Sequence, residues 1–460
     1  MKLNSGVLIV FAIPAAIAAG APPAFAQAAG PRQGSNALFG GGNFDPKARQ
    51  KLDLTLSSTE AYNSDMAEEQ RTNLGAGGLE PSGYSTMLAG AADYAWRGRR
   101  VRVGATGTAT LRYLRPIGDI LSYPHKSVSH TAGVGFSARI LRRTTVLVNQ
   151  TATYSPSYLY NLFPRLEETT PGDAPAAAPD YAISGAESQS YGTTVTLTHD
   201  FSRRSSAAAT TEYQSTNALG GTAGGRELSV YGIRGRVSHR LARHTIATAE
   251  YVNRLGVARY NSAATTPGTL RGTSAERGVQ IGMDYRPQLS ATRHVALGAR
   301  FGASSMMLPE SAAGTVLEDR PYSRLSGQVT MDYGFGRTWQ TRALYRRGVE
   351  YVAGLSEPVS ADSFTASVDG LFARRLDFLA SVGYSNGESV LNRNSSIFDT
   401  YTGDVRLRYA LTESFAASIE YLYYFYDSRG SNPLVPGIPP SLERKSVLAG
   451  LTLRVPALRR

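Results

Sequence analysis

The chain has 460 residues, a formal net charge of +12 and no cysteine. The lack of cysteine excludes structural disulfides, a thiol nucleophile and a lipid anchor at a processing site. In a soluble protein so much positive charge would raise nucleic-acid binding. Here the arginines are dispersed along the chain rather than gathered in one patch, so nucleic acid is not an expected partner.

The first element is an export signal. Lys2 supplies a positive start, Val7 to Ala19 an apolar stretch, and Ala24-Phe25-Ala26 a small-x-small cleavage site, which predicts a signal peptide over 1–26. Pro14, Pro22 and Pro23 interrupt the segment, and its apolar core falls short of the roughly 20 residues of a membrane anchor. Residues 27–49, with Gln27-Ala28-Ala29-Gly30-Pro31 and Gly40-Gly41-Gly42-Asn43, offer little that packs and read as a flexible periplasmic lead-in. They are far too few for a folded plug domain.

From 50 to 460 the pattern has a period of two. It is visible near 50–55, 85–95, 101–113, 132–140, 145–153 and 447–455. In 401–409, Tyr401, Val405, Leu407 and Tyr409 alternate with Asp404, Arg406 and Arg408. In 279–286, Val279, Ile281, Met283 and Tyr285 alternate with Gln280, Asp284 and Arg286. In 415–425, Phe415, Ile419, Tyr421, Tyr423 and Phe425 lie opposite Ser418 and Glu420.

Eight short turns are predicted, many carrying arginine: 97–99, 141–143, 201–204, 241–244, 290–293, 336–338, 374–376 and 411–414. Between them fall nine longer connections, near 63–82, 115–126, 159–184, 218–226, 259–272, 307–320, 355–361, 390–397 and 428–441. Seventeen connections give eighteen strands, with sixteen the alternative count. The fold class is therefore all-β, a transmembrane antiparallel barrel with short periplasmic turns and long extracellular loops. Tyrosine far outnumbers tryptophan, 26 to 2, as suits rings at headgroup level.

A lipid-facing arginine or lysine costs about 2–4 kcal/mol at the bilayer midplane, which turns the charged faces inward. The expected lumen lining is Arg102, Arg112, Arg234, Arg236, Glu250, Asp284, Arg286, Arg300, Asp332, Arg342, Arg346, Asp404, Arg406, Arg408, Glu420 and Arg454. Arginines and carboxylates there pair across the wall and hold its shape, while the arginine surplus attracts anions. Both roles are compatible. Arginines in the short turns, among them Arg97, Arg99, Arg142, Arg143, Arg203 and Arg204, keep a rim wet.

Nothing points to catalysis, a metal or a cofactor. The six histidines, His125, His130, His199, His239, His244 and His294, form no zinc spacing, and no Gly-x-Ser-x-Gly is present. Acids such as Glu68, Glu69, Glu167, Glu168 and Asp173 fall in the long loops without calcium-loop spacing.

From residue 50 onward the chain resembles Gram-negative outer-membrane β-barrels, in particular the porin-like barrels encoded with exopolysaccharide or capsule export machinery. The resemblance is architectural and transfers no residue motif. It implies an outer-membrane pore for a polar, anionic solute or an exopolysaccharide. A general diffusion porin, or a structural or adhesive barrel with a blocked lumen, are the alternatives. Implied partners are outer-membrane lipid and lipopolysaccharide, the barrel-assembly machinery, and periplasmic polysaccharide-export proteins. The end of the chain departs from the usual aromatic terminus: alternation runs to Val455, Pro456 removes a ladder hydrogen bond, and Arg459-Arg460 follow.

Overall fold

The computed structural model describes residues 49–64, 82–117, 126–155, 187–219, 226–262, 268–290, 292–307, 322–336, 338–351, 358–389, 396–427 and 441–459. The expected signal peptide, almost all of the lead-in and most of the long loops lie outside the described residues.

The strands are β1 (Gln50–Asn63), β2 (Gly83–Arg97), β3 (Val101–Pro116), β4 (Lys126–Leu141), β5 (Thr144–Ser155), β6 (Glu187–Asp200) and β7 (Ser205–Leu219). They continue as β8 (Arg226–Ala242), β9 (Thr245–Ser262), β10 (Gly268–Tyr285), β11 (Gln288–Ser290), β12 (Arg293–Met307) and β13 (Tyr322–Phe335). The last are β14 (Trp339–Glu350), β15 (Val359–Ala373), β16 (Leu376–Ser389), β17 (Ser396–Ala410), β18 (Phe415–Asp427) and β19 (Ser441–Arg459). β11 is only a three-residue piece in the turn between β10 and β12, which pair directly. The wall therefore has eighteen strands.

Each strand pairs antiparallel with its sequence neighbours, and β1 pairs with both β2 and β19, which closes the sheet. A closed barrel leaves no strand edge unpaired, the condition for crossing lipid with strands. All eight short turns fall where the sequence places them, with Gly336 at φ +71° in the turn after β13, a conformation that favours glycine. The loops differ by a few residues: β9 runs on to Ser262 and β10 starts at Gly268, so the 259–272 connection is shorter than the sequence suggests.

Pro456 does not end the last strand. Leu52 faces Leu458 and Asp53 faces Pro456, so Ala457 bulges out and β19 continues to Arg459. A bulge suits a residue that cannot donate to the ladder.

The outer face is apolar. Ile281, Phe301, Leu325, Val382, Tyr401, Val405, Leu407 and Ile419 are all exposed on it. Near the short-turn end, Tyr333, Phe335, Trp339, Phe372 and Phe378 form one chain of ring contacts with centroids 4.9–6.1 Å apart. Near the long-loop end, Tyr62 meets Tyr84 and Tyr213 meets Tyr231. Around that upper girdle, exterior charges occur as pairs: Glu60–Arg115 at 3.0 Å, Glu227–Arg259 at 3.1 Å, Arg347–Asp362 at 3.2 Å and Glu443–Lys445 at 3.0 Å. A groove of about 890 Å³ hollows the outer wall over β19 and β1–β6, floored by Gly90, Ala92, Gly107, Ala109, Ala132 and Ala152. It opens toward lipid and is not the channel.

Candidate functional site

The site is the inner wall, which has two unlike halves. On β3–β7 the side chains opposite the apolar face are short and mostly hydroxylic: Thr106, Thr108 and Thr110, then Ser129, Thr131, Thr151, Thr153, Thr194, Thr196 and Thr210. Thr196 and Thr210 bond across strands at 3.1 Å. From β8 round to β1 the same face carries charge.

The charged half is built from cross-strand pairs. Arg236 donates through Nε at 2.8 Å to Glu250 Oε2, with its Nη2 at 2.7 Å from the same oxygen. Arg234 lies 3.3 Å from the other oxygen of Glu250 and 3.9 Å from Glu212. Arg300 has Arg236, Asp284, Glu250 and Arg234 as its charged neighbours. Arg342 reaches Asp369 at 3.2 Å and faces Asp332 in register. Arg408 is paired with Asp377. Asp404 contacts Glu420, with Arg406 beside them. At the closing seam, Lys51 and Arg454 both reach Asp53 Oδ2 at 2.6 Å.

Near the long-loop end the lumen is crossed. β14 loses its partner β13 after Arg347 while Val349 and Glu350 stay paired with Ser360 and Val359 of β15, so the end of the β14–β15 hairpin turns inward as a unit. Arg254 on β9 donates through Nη2 to the Val349 carbonyl at 2.9 Å and pairs with Glu276 at 2.6 Å. The Arg254 guanidinium also stands 5.5 Å from the centroid of the Tyr351 ring. In the wall, β10, β12 and β13 separate β9 from β14, so this contact runs inside the barrel as a chord. Val349 packs with Met306, Tyr322 and Tyr351, and Arg346 pairs with Glu350 at 3.0 Å. Gly256 leaves the room: a Cβ there would lie 2.3 Å from the Tyr351 ring. Burial, and next the nearby Glu276 charge, push the Tyr351 phenol up to about 12, so it stays neutral. A second chord ties Arg324 on β13 to Glu388 on β16 at 3.5 Å.

Strand alternation puts Arg102, Arg112, Arg234, Arg236, Glu250, Asp284, Arg300, Asp332, Arg342, Arg346, Asp404, Arg406, Arg408, Glu420 and Arg454 opposite the apolar face. They are not one cluster. Arg102 is exposed near the short-turn end, whereas Arg112 is buried far above it. Arg286 lies beyond the end of β10, at the rim, where its main-chain N–H donates to the His244 carbonyl at 2.8 Å. The sequence reading passed over Arg254, Glu276, Glu212, Asp369, Asp377 and Asp53. Their in-phase positions on extended strands were the available signal. Arg254 and Glu276 flank the stretch taken for a longer loop, so neither was assigned a face.

A closed eighteen-stranded barrel with an apolar exterior, two aromatic girdles and a charged interior is an outer-membrane β-barrel, with its short turns periplasmic and its loops extracellular. No family model matches the chain, and no curated protein matches its sequence. Solved structures similar to it include OpdQ of Pseudomonas aeruginosa, with 9% identity, 89% of this chain and 98% of that one covered, and a TM-score of 0.41. OccAB4 of Acinetobacter baumannii shares 11% identity over 90% of this chain and 100% of its own, with a TM-score of 0.42. The ferric-catecholate import receptor Fiu of E. coli K12 shares 8% over 87% of this chain and 81% of its own, with a TM-score of 0.40. Likeness this distant adds nothing to what the strands themselves show.

Proposed function

We infer that this protein is a passive outer-membrane pore for small polar solutes, with a preference for anions. The observation that carries the reading is the inward turn of 349–351, which sets Arg254, Glu276, Arg346 and Glu350 together in the lumen. A narrowed passage with opposed charges sorts small solutes by size and charge. In and below it, the side chains of Arg346 (36% exposed), Arg234 (40%) and Arg236 (30%) keep surface free despite their carboxylate partners. An anion meets them without breaking a pair. An exopolysaccharide conduit fits less well, because a polymer calls for a lumen without such a crossing.

The test is single-channel conductance of refolded protein in planar bilayers, with reversal potentials in a salt gradient. Steady conductance with an anion-leaning reversal potential is expected. Folded, inserted protein that conducts nothing would remove the pore and leave the blocked structural barrel.

A further inference from the structure

The two ends of the barrel treat charge differently. At the extracellular end the exterior cations Arg115, Arg259, Arg347 and Lys445 each have a carboxylate within 3.2 Å. At the periplasmic end, Arg99, Arg100, Arg142, Arg143, Arg203 and Arg204 are exposed, and among the described residues none forms an ion pair. They occupy three successive turns, 98–100, 142–143 and 201–204. Exposed arginines continue round the rim at Arg243, Arg293, Arg374 and Arg375 but are densest in these three turns, and the 411–414 turn carries Glu413 and no arginine.

We propose that this arc is a binding surface for anionic phospholipid headgroups of the periplasmic leaflet. Turns this short cannot project past the headgroup layer, and the exposed Phe201 marks the apolar boundary beside them. Successive hairpins in a sheet stand about 10 Å apart, twice the strand spacing, only slightly beyond the Debye length of about 8 Å at physiological salt, so screening between them is incomplete. The guanidiniums therefore repel one another unless anions lie between them. A phosphodiester fits, since guanidinium binds phosphate through two parallel N–H donors.

The surface is also held in shape. Arg143 Nη1 donates to the Phe201 carbonyl at 3.0 Å, tying one turn to the next. The main-chain N–H of Asp200 donates to the Arg143 carbonyl at 2.9 Å, and that of Arg139 to the Arg100 carbonyl at 2.9 Å. The lipid therefore meets cations already in place. An acidic periplasmic polypeptide is the competing partner; the depth of the arc, level with the lipid headgroups, favours lipid.

The proposal needs the membrane-spanning barrel but not the pore. The experiment is native mass spectrometry of refolded protein in detergent, offered equal phosphatidylglycerol and phosphatidylcholine. Bound phosphatidylglycerol should exceed phosphatidylcholine by about threefold or more, a modest demand given the attraction of each basic residue to an anionic surface. The ratio should fall toward one in the R99Q/R142Q/R203Q/R204Q variant and persist in the R115Q/R259Q control. Heat-modifiable gel mobility verifies that each variant is folded. A ratio near one for the folded parent, or one unchanged in the quadruple variant, would overturn the proposal. So would tighter binding of a polyglutamate peptide that displaces the phosphatidylglycerol. Conductance from the same preparation reads the pore separately, so either reading can fail alone.

Discussion

Arg254 is the residue on which the mouth of the barrel turns. Its side chain is 15% exposed and that of Glu276 only 6%, so each ion depends on the other for its lost hydration. Arg254→Ala leaves the Glu276 charge unpaired and should cost about 3–5 kcal/mol in urea unfolding from lipid vesicles. It also releases the Val349 carbonyl, so single-channel conductance should rise. Adding Glu276→Gln should recover most of the stability and keep the larger conductance. Unchanged conductance in both variants would mean that 349–351 does not limit the passage. Asp53 holds the other end in a similar way, with Arg454 8% exposed against it. Asp53→Asn should cost about 3 kcal/mol by removing the carboxylate charge that Arg454 and Lys51 share. The barrel should still close, because the β1–β19 ladder runs from Lys51 to Asn63 without needing the pair; retained heat-modifiable mobility checks this.

At the scale of the strand, alternation decides what each position tolerates. Gly107 points outward into the groove, and a Cβ there would meet nothing within 4 Å. Gly107→Leu should leave stability within about 0.5 kcal/mol. Gly302 is the opposite case, since a Cβ there would fall 1.9 Å from the Val279 carbonyl oxygen of the neighbouring strand. Gly302→Ala should cost about 1–3 kcal/mol through a forced backbone shift, and equal unfolding midpoints for the two variants would refute the contrast. The same alternation made the wall legible in the sequence. Residues such as Tyr401, Val405 and Leu407 against Asp404, Arg406 and Arg408 declare a two-faced strand locally, and Arg-rich turns punctuate it. The chords were not legible, because Arg254 and Val349 meet only through the curvature of five strands. Neither was the bulge at Ala457, which depends on the register between the first strand and the last.

For the whole molecule, what matters is how the charge is distributed. The hydroxylic half of the lumen carries few charges, Arg102, Arg112 and Glu212 among them, so a solute's charge is read mainly by the β8–β19 half. There the carboxylates cancel part of the arginine field, and Glu250 alone engages both Arg234 and Arg236. Arg300 has Asp284 and Glu250 nearby but no ion pair within 4.0 Å among the described residues, which leaves its charge more available to a passing anion. A unit charge about 4 Å from an ion in water-like surroundings is worth about 1 kcal/mol, roughly a fivefold change in local occupancy. Arg300→Gln should therefore move the reversal potential in a salt gradient away from anions without altering conductance much, since the side chain stays polar and the crossing at 349–351 is untouched. A charge-balanced change offers the control: R236Q/E250Q removes one cation and one anion together and should leave the reversal potential nearly in place. If the balanced variant shifts selectivity as far as Arg300→Gln does, individual pairs rather than the summed field set the preference for anions.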